Sequence, residues 1–157
     1  LSGPLRRIVE SLAWWEAAGI GRPTRTQVAF VAGYKPGTGS FNNYLSQMRT
    51  ADLIDYPGNG SLELTEAGRQ AAPKIGSATT GELHDRVNAI LDGPTSKLMR
   101  RLLDSYPSTL SRDDLAAATD YRPGTGSFNN YVSRLHTLDL ITYPERGGVR
   151  AQDWLFP

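Results

Sequence analysis

The chain has 157 residues, 39% hydrophobic and 21% charged, an ordinary composition for a globular protein and enough length for one domain or two small ones. Its formal net charge of +1 excludes a domain that is basic throughout, so any surface for a polyanion has to come from local charge. Cysteine is absent, which removes disulfides and thiolate metal sites and fits a reducing cytoplasm; no apolar run approaches a membrane span and no segment reads as a signal peptide.

Pro4 to Ala18 reads as a helix, because proline is tolerated in a first turn whose amides lack intrahelical partners, and Gly19 suits the exit. Leu5, Ile8, Leu12 and Trp15 form an apolar stripe facing a core, with Trp14 beside it. Both tryptophans read first as packing residues and only second as ligand- or base-stacking ones, since large aromatics chiefly supply buried area. Thr24 to Ala32 predicts a second helix, capped by Thr24 or Thr26, packed through Val28, Ala29, Val31 and Ala32, and ended by Gly33. After a Gly/Pro-rich turn, a third helix runs from about Ser40 to Ala51. Phe41, Tyr44, Leu45 and Met48 cluster on one side of it, and Asn42, Asn43, Ser46, Gln47, Arg49 and Thr50 occupy the remainder.

Leu53 to Tyr56 predicts a strand, Pro57 to Gly60 a turn, and Ser61 to Leu64 a returning strand; Thr65 then caps a short helix. Pro73 to Thr80, small and polar, reads as a linker. Glu82 to Leu91 predicts a helix whose apolar side carries Leu83, Val87, Ile90 and Leu91. Asp92-Gly93-Pro94 breaks the chain, and Thr95 is expected to cap the next helix, which runs to about Ser105. Ser111–Thr119 and Ser127–Leu138 predict two further helices and Ile141–Trp154 a hairpin, after which Trp154, Leu155 and Phe156 are expected to pack on the second half of the chain.

One stretch occurs twice. Tyr34-Lys35-Pro36-Gly37-Thr38-Gly39-Ser40-Phe41-Asn42-Asn43-Tyr44 returns as Tyr121-Arg122-Pro123-Gly124-Thr125-Gly126-Ser127-Phe128-Asn129-Asn130-Tyr131. The offset, position 124 less position 37, is 87 residues, and it persists from Asp52-Leu53-Ile54 to Asp139-Leu140-Ile141 and from Tyr56-Pro57 to Tyr143-Pro144. An ungapped match of this length is an internal duplication. Its period exceeds the usual solenoid range, so each copy reads as a small domain, residues 1–75 and 76–157. The first residue is Leu1, not methionine, which fits a piece of something larger.

The order helix, helix, turn, helix, hairpin, with Leu-Ile running into the hairpin and Leu64-Thr65-Glu66-Ala67-Gly68 leaving it, resembles winged helix-turn-helix DNA-binding proteins of the bacterial regulator type. The likeness covers both copies, hence nearly the whole chain. The word from Gly33 to Tyr44 also resembles a tandem helix-turn-helix tail of some prophage- and plasmid-associated ATP-binding proteins. The resemblance implies a mainly α fold of the α+β winged-helix type, two tandem winged helix-turn-helix units related by duplication, with no cofactor. It further implies that the third helix of each unit enters the major groove of double-stranded DNA. Carried over, the base-facing candidates are Asn42, Asn43, Ser46, Gln47 and Arg49 in the first copy and Asn129, Asn130, Ser133, Arg134 and His136 in the second.

The residue types suit that role: Asn and Gln pair bidentately with adenine, and Arg with guanine. Amides and serines on an exposed helix face are also simply compatible with water, and a recent duplication would retain them without selection. The turns before the third helices, with Thr38, Ser40, Thr125 and Ser127, place helix-start amides beside Lys35 or Arg122, chemistry suited to a backbone phosphate. A phosphate-binding loop for nucleotides is not indicated, because serine stands where its lysine is required and no strand is predicted before either loop. Between Gly21 and Thr50 the charges Arg22, Arg25, Lys35 and Arg49 have no acidic residue among them. In the second copy Asp113, Asp114 and Asp120 oppose close approach to phosphate, whereas Arg122, Arg134, Arg146 and Arg150 give a basic side, with Arg146 at the hairpin tip near a minor groove. His84 and His136 stand at no ligand spacing and are expected on the surface. Catalysis and metal binding have no support.

The expectation is therefore a non-enzymatic, cytoplasmic protein that binds double-stranded DNA and has no membrane partner, the first unit binding more strongly. The alternative is a protein-interaction module, an adaptor in a larger ATPase or replication assembly, which near-neutral charge and the acidic second copy favour.

Overall fold

The structure is a computed structural model that describes residues 1–76 and 78–157. Ser77, inside the predicted linker, lies outside the described residues. The chain is mainly helical with small antiparallel sheets and divides into two compact units, Leu1–Ile90 together with Pro157, and Leu91–Phe156. The division falls at Leu91, whereas the sequence reading placed it at 75/76.

In the first unit, helix α1 (Gly3–Ala17) starts with proline in its first turn and buries Ile8, Val9, Leu12, Trp14 and Trp15. Both tryptophans are packing residues: their rings meet edge to face at 5.0 Å, and Trp15 Nε1 donates to the Gln27 carbonyl at 3.0 Å. Helix α2 (Arg25–Ala32) is fixed at both ends. Thr24 and Gln27 form a reciprocal capping box, and Gly33 leaves the helix with φ +81°, the left-handed geometry that only glycine adopts without a Cβ penalty. Thr38 caps helix α3 (Gly39–Thr50) by accepting from the Phe41 amide at 3.4 Å. Strands β1 (Ile54–Gly58) and β2 (Ser61–Leu64) pair antiparallel around Asn59-Gly60, where both residues take positive φ, as a tight two-residue hairpin turn requires.

Thr65 caps helix α4 (Glu66–Ala71), and its hydroxyl donates to the Asp52 carbonyl at 2.6 Å. Helix α5 (Thr80–Ile90) buries Leu83 and Val87 and packs on α2, where Arg86 Nη1 donates to the Val31 carbonyl at 2.7 Å. It thus belongs to the first unit, although the sequence reading grouped it with the second.

In the second unit, helix α6 (Gly93–Ser105) is capped by Asp92 and not by Thr95. The Asp92 carboxylate accepts from the amide and the hydroxyl of Thr95, and Thr95 lies fully buried inside the first turn. Strand β3 (Leu110–Ser111) leads into helix α7 (Arg112–Ala118), and Thr125 caps helix α8 (Gly126–Thr137). Strands β4 (Ile141–Thr142) and β5 (Gly148–Ala151) form the hairpin, with sheet order β3-β5-β4. The hairpin ends at Ala151, short of the predicted Trp154, because Asp153–Leu155 turn into a 3-10 helix.

The first unit has only an isolated bridge, Thr24↔Ser61, where the second has the strand pair Leu110↔Val149 and Ser111↔Gly148. The cause is one residue: Pro23 stands where the second unit has Leu110. Pro23 accepts from the Leu62 amide at 2.8 Å but has no amide of its own to return.

Candidate nucleic-acid interface

Helices α3 and α8 are held by the same kind of inner face. Phe41, Leu45 and Met48 are fully buried on α3, and Phe128, Val132 and Leu135 on α8. Burying side chains of this size contributes about 1.5–3 kcal/mol each, enough to fix the rotation of each helix. The rotation turns Asn42, Asn43, Ser46, Gln47 and Arg49 outward, and likewise Asn129, Asn130, Ser133, Arg134 and His136; all ten are exposed.

At the start of each helix lies an aromatic cluster. Tyr34 meets Phe41 and Tyr44 at 5.8 Å each, and Tyr121 meets Phe128 at 6.4 Å and Tyr131 at 5.7 Å. A cation covers each lead tyrosine: Arg7 sits 4.4 Å from the Tyr34 ring and Lys97 5.0 Å from that of Tyr121. Desolvation, and secondly the neighbouring Tyr131, raise the Tyr121 phenol above its ordinary range. The turns before the helices pass through Gly37 and Gly124 at φ +78° and +76°. Lys35, Ser40, Arg122 and Ser127 are exposed there, whereas Thr38 and Thr125 are half-buried and their hydroxyls serve as caps.

Lys35 and Ser40 stand at one end of α3 and Arg49 at the other. From Gly39 to Arg49 the helix rises about 15 Å at 1.5 Å per residue. The amide-bearing residues lie between these cationic ends.

The structure corrects the local-charge reading. The segment from Gly21 to Thr50 is free of acids in sequence only: Glu63 of the hairpin lies 3.7 Å from Arg22, and Asp55 lies 3.6 Å from Arg49. In the second unit Arg134 Nη1 donates to Asp92 Oδ2 at 2.6 Å, and Arg150 pairs with Asp153 at 3.4 Å. Two of the four arginines expected to make that unit basic are therefore shared with carboxylates. Arg122 and Arg146 are exposed, Arg146 in the hairpin turn, and Asp113, Asp114 and Asp120 are exposed as well.

His84 is half-buried on α5, contrary to the expected exposure, while His136 is exposed with its ring stacked on Tyr143 at 4.3 Å. Sequence reasoning missed Tyr56, Tyr143 and Arg112. Tyr56 brings Arg25 and Arg49 together, with guanidinium carbons 5.0 and 4.7 Å from its ring centroid; Tyr143 does the same for Arg112, at 5.2 Å, and His136. The signal for them in the sequence is the recurrence of Tyr56-Pro57 as Tyr143-Pro144 at the 87-residue offset.

A cavity of about 180 Å³ in the first unit is lined by Trp14, Glu10, Arg7 and Arg86, among others. Its cations are occupied, since Arg7 and Arg86 donate to the carbonyls of Ala32, Gly33 and Val31 at the end of α2. Among the described residues no group of three His, Cys, Asp or Glu could hold a metal ion, and no helix is long and apolar enough to cross a membrane. Compared with protein-family models, curated proteins and solved structures, the chain matches none.

Proposed function

We propose that the two units are winged helix-turn-helix domains arising from an internal duplication, and that the chain binds double-stranded DNA with α3 and α8 in major grooves. The observation that carries this reading is the outward Asn-Asn-x-x-Ser face, exposed at the same helical register on α3 and α8 over equivalent buried aromatic and aliphatic residues. Asparagine amides read adenine edges, and Gln47 adds a second adenine-reading amide on α3 alone. The outward face of α3 rises about 15 Å from Gly39 to Arg49, comparable with a major groove roughly 12 Å wide, and exposed Lys35 stands in the turn before it. Two such units in one chain raise each other's effective concentration at adjacent sites without dimerisation.

A second reading is supported by the pairing of Arg22, Arg49 and Arg134 with carboxylates: an adaptor surface for another protein, such as the rest of a larger ATPase or replication assembly. Titrating a labelled mixed-sequence duplex with the chain at about 50 and 200 mM salt separates the two. The DNA reading requires binding at the lower salt that weakens steeply at the higher. Absence of binding at both removes it and leaves the adaptor.

A further inference from the structure

Outside the outward faces of α3 and α8, one arrangement recurs in both units: a hairpin tyrosine holding two basic side chains. Around Tyr56 these are Arg25, the first residue of α2, and Arg49, near the end of α3. Around Tyr143 they are Arg112, the first residue of α7, and His136, near the end of α8, whose ring lies within 9° of parallel to the tyrosine. Every member corresponds at the duplication offset, yet Arg49 has become His136. The aromatic and basic character has persisted while the side chain changed.

Stability alone does not account for the arrangement. Arg25 and Arg49, two cations gathered at the Tyr56 ring, repel each other, and Arg25 sits at the positive end of α2, where a cation is disfavoured. Asp55 lies 3.6 Å from Arg49 and offsets part of that charge; Asp113 and Asp114 follow Arg112 directly in sequence and are exposed. What the ring supplies is order: basic side chains from two helices, exposed at Arg25, Arg49 and His136 and half-buried at Arg112, are held side by side on a planar support. Paired, pre-ordered donors suit an anion with several acceptor oxygens, such as a phosphodiester.

We propose that Tyr56 and Tyr143 are positioning residues, each holding its two basic neighbours as a clamp for one backbone phosphate of the duplex. The inference rests on the DNA-binding reading above and assigns Arg49 and His136, base-facing by the family resemblance, to holding phosphate. It also makes the units unequal: the first clamp carries two guanidiniums, the second one guanidinium and an imidazole beside exposed aspartates.

The test is a salt series of duplex affinity for the whole chain, with thermal unfolding followed in parallel. Arg25→Gln and Arg49→Gln alter exposed side chains. Each is expected to weaken binding alike for every duplex and to lower the slope of log affinity against log salt by about one. Tyr56→Leu is expected to lower both while leaving the arginines in place, Tyr56→Phe to behave as the parent, and Tyr143→Leu to give a smaller change than Tyr56→Leu. If Tyr56→Leu loses its unfolding transition, the two glutamine variants decide. A binding parent whose slope is unchanged in both, or a folded Tyr56→Leu chain indistinguishable from the parent, overturns the clamp and leaves duplex binding standing. A parent that binds no duplex overturns both.

Discussion

The carboxylate of Asp92 is divided between two tasks: one oxygen caps α6 by accepting from the Thr95 amide at 3.0 Å, and the other accepts from Arg134 Nη1 at 2.6 Å. The start of α6 is thereby tied to the outward face of α8. The hydrogen bonds from Thr95 come first among the causes that hold the Asp92 carboxyl below its ordinary value; burial opposes them, and Arg134 adds a lesser lowering. In the first unit the N-cap of α1 is Ser2, whose side chain makes no cap bond, and Leu5 and Gln47 stand 87 residues before Asp92 and Arg134, so neither carries a charge for such a tie.

Replacing Asp92 by Asn separates the two tasks, because Asn caps nearly as well as Asp but does not attract a guanidinium. Asp92→Asn is expected to fold normally and, on the DNA reading, to bind duplex more tightly, with the salt slope steeper by about one as Arg134 is released. Asp92→Ala also loses the cap, at a cost of about 1 kcal/mol. A depressed carboxyl stabilises the fold fully above its ordinary value of 3.8 and ceases to do so as pH falls through its lower folded value. The stability difference between the parent and Asp92→Ala is therefore expected to shrink below pH 3.8, read by denaturant unfolding across an acid pH series.

Which parts of this were legible beforehand follows from the range of the interactions. Phe41, Leu45 and Met48 recur at helical spacing, so the inner and outer faces of α3 can be read from a dozen residues. Thr24 and Gly33 announce the ends of α2 just as locally. The Tyr56 cluster joins α2, α3 and β1, and no window of sequence contains that meeting. For the same reason the segment from Gly21 to Thr50 reads as purely basic in sequence: Asp55 and Glu63 reach Arg49 and Arg22 only once the hairpin folds back. Amphipathicity identified α5 as a helix but did not name its partner, and the contact of Arg86 with Val31 is what assigns it to the first unit.

Gly68 has no room for a side chain. A Cβ there runs into the Leu53 carbonyl and meets Leu64 Cδ2 at 3.0 Å, and that same carbonyl accepts from the Thr65 amide at 3.1 Å where the hairpin enters α4. Gly68→Ala is expected to destabilise the first unit by about 1–3 kcal/mol through forced displacement of this joint. Gly81→Ala, with nothing within 4 Å, is the control and is expected to be neutral or slightly stabilising. Equal thermal midpoints for the two variants would contradict the packing argument.

The second unit closes differently. Leu155, at the position corresponding to Gly68, is fully buried; Phe156 stacks on Tyr106 at 3.9 Å; and the Tyr106 hydroxyl donates to Asp153 Oδ1 at 2.7 Å. Leu155→Ala is expected to cost about 2–5 kcal/mol, measured by chemical unfolding. The bond to Asp153 raises the Tyr106 phenol above its ordinary value of 10.0, so its contribution is present below that value and lost as pH rises through the folded one. Tyr106→Phe should lack that alkaline loss.

The outward amides give the sharpest test of readout. Asn42 and Asn43 are exposed, and Phe41 and Leu45 beside them carry the packing, so alanine at both amides is expected to leave the unfolding transition in place. Each bidentate amide–adenine pair contributes about 1–3 kcal/mol of discrimination against the wrong base, whereas phosphate contacts contribute none. Asn42→Ala with Asn43→Ala should therefore flatten the spread of affinities across a panel of duplexes selected by the parent from a random pool, while the salt slope stays the same. The matching pair at Asn129 and Asn130 should flatten it less, because the exposed Asp113, Asp114 and Asp120 would repel phosphate near the second unit. A parent with no preference across the panel, or a double variant that keeps the full spread, would show that these amides face water and not bases.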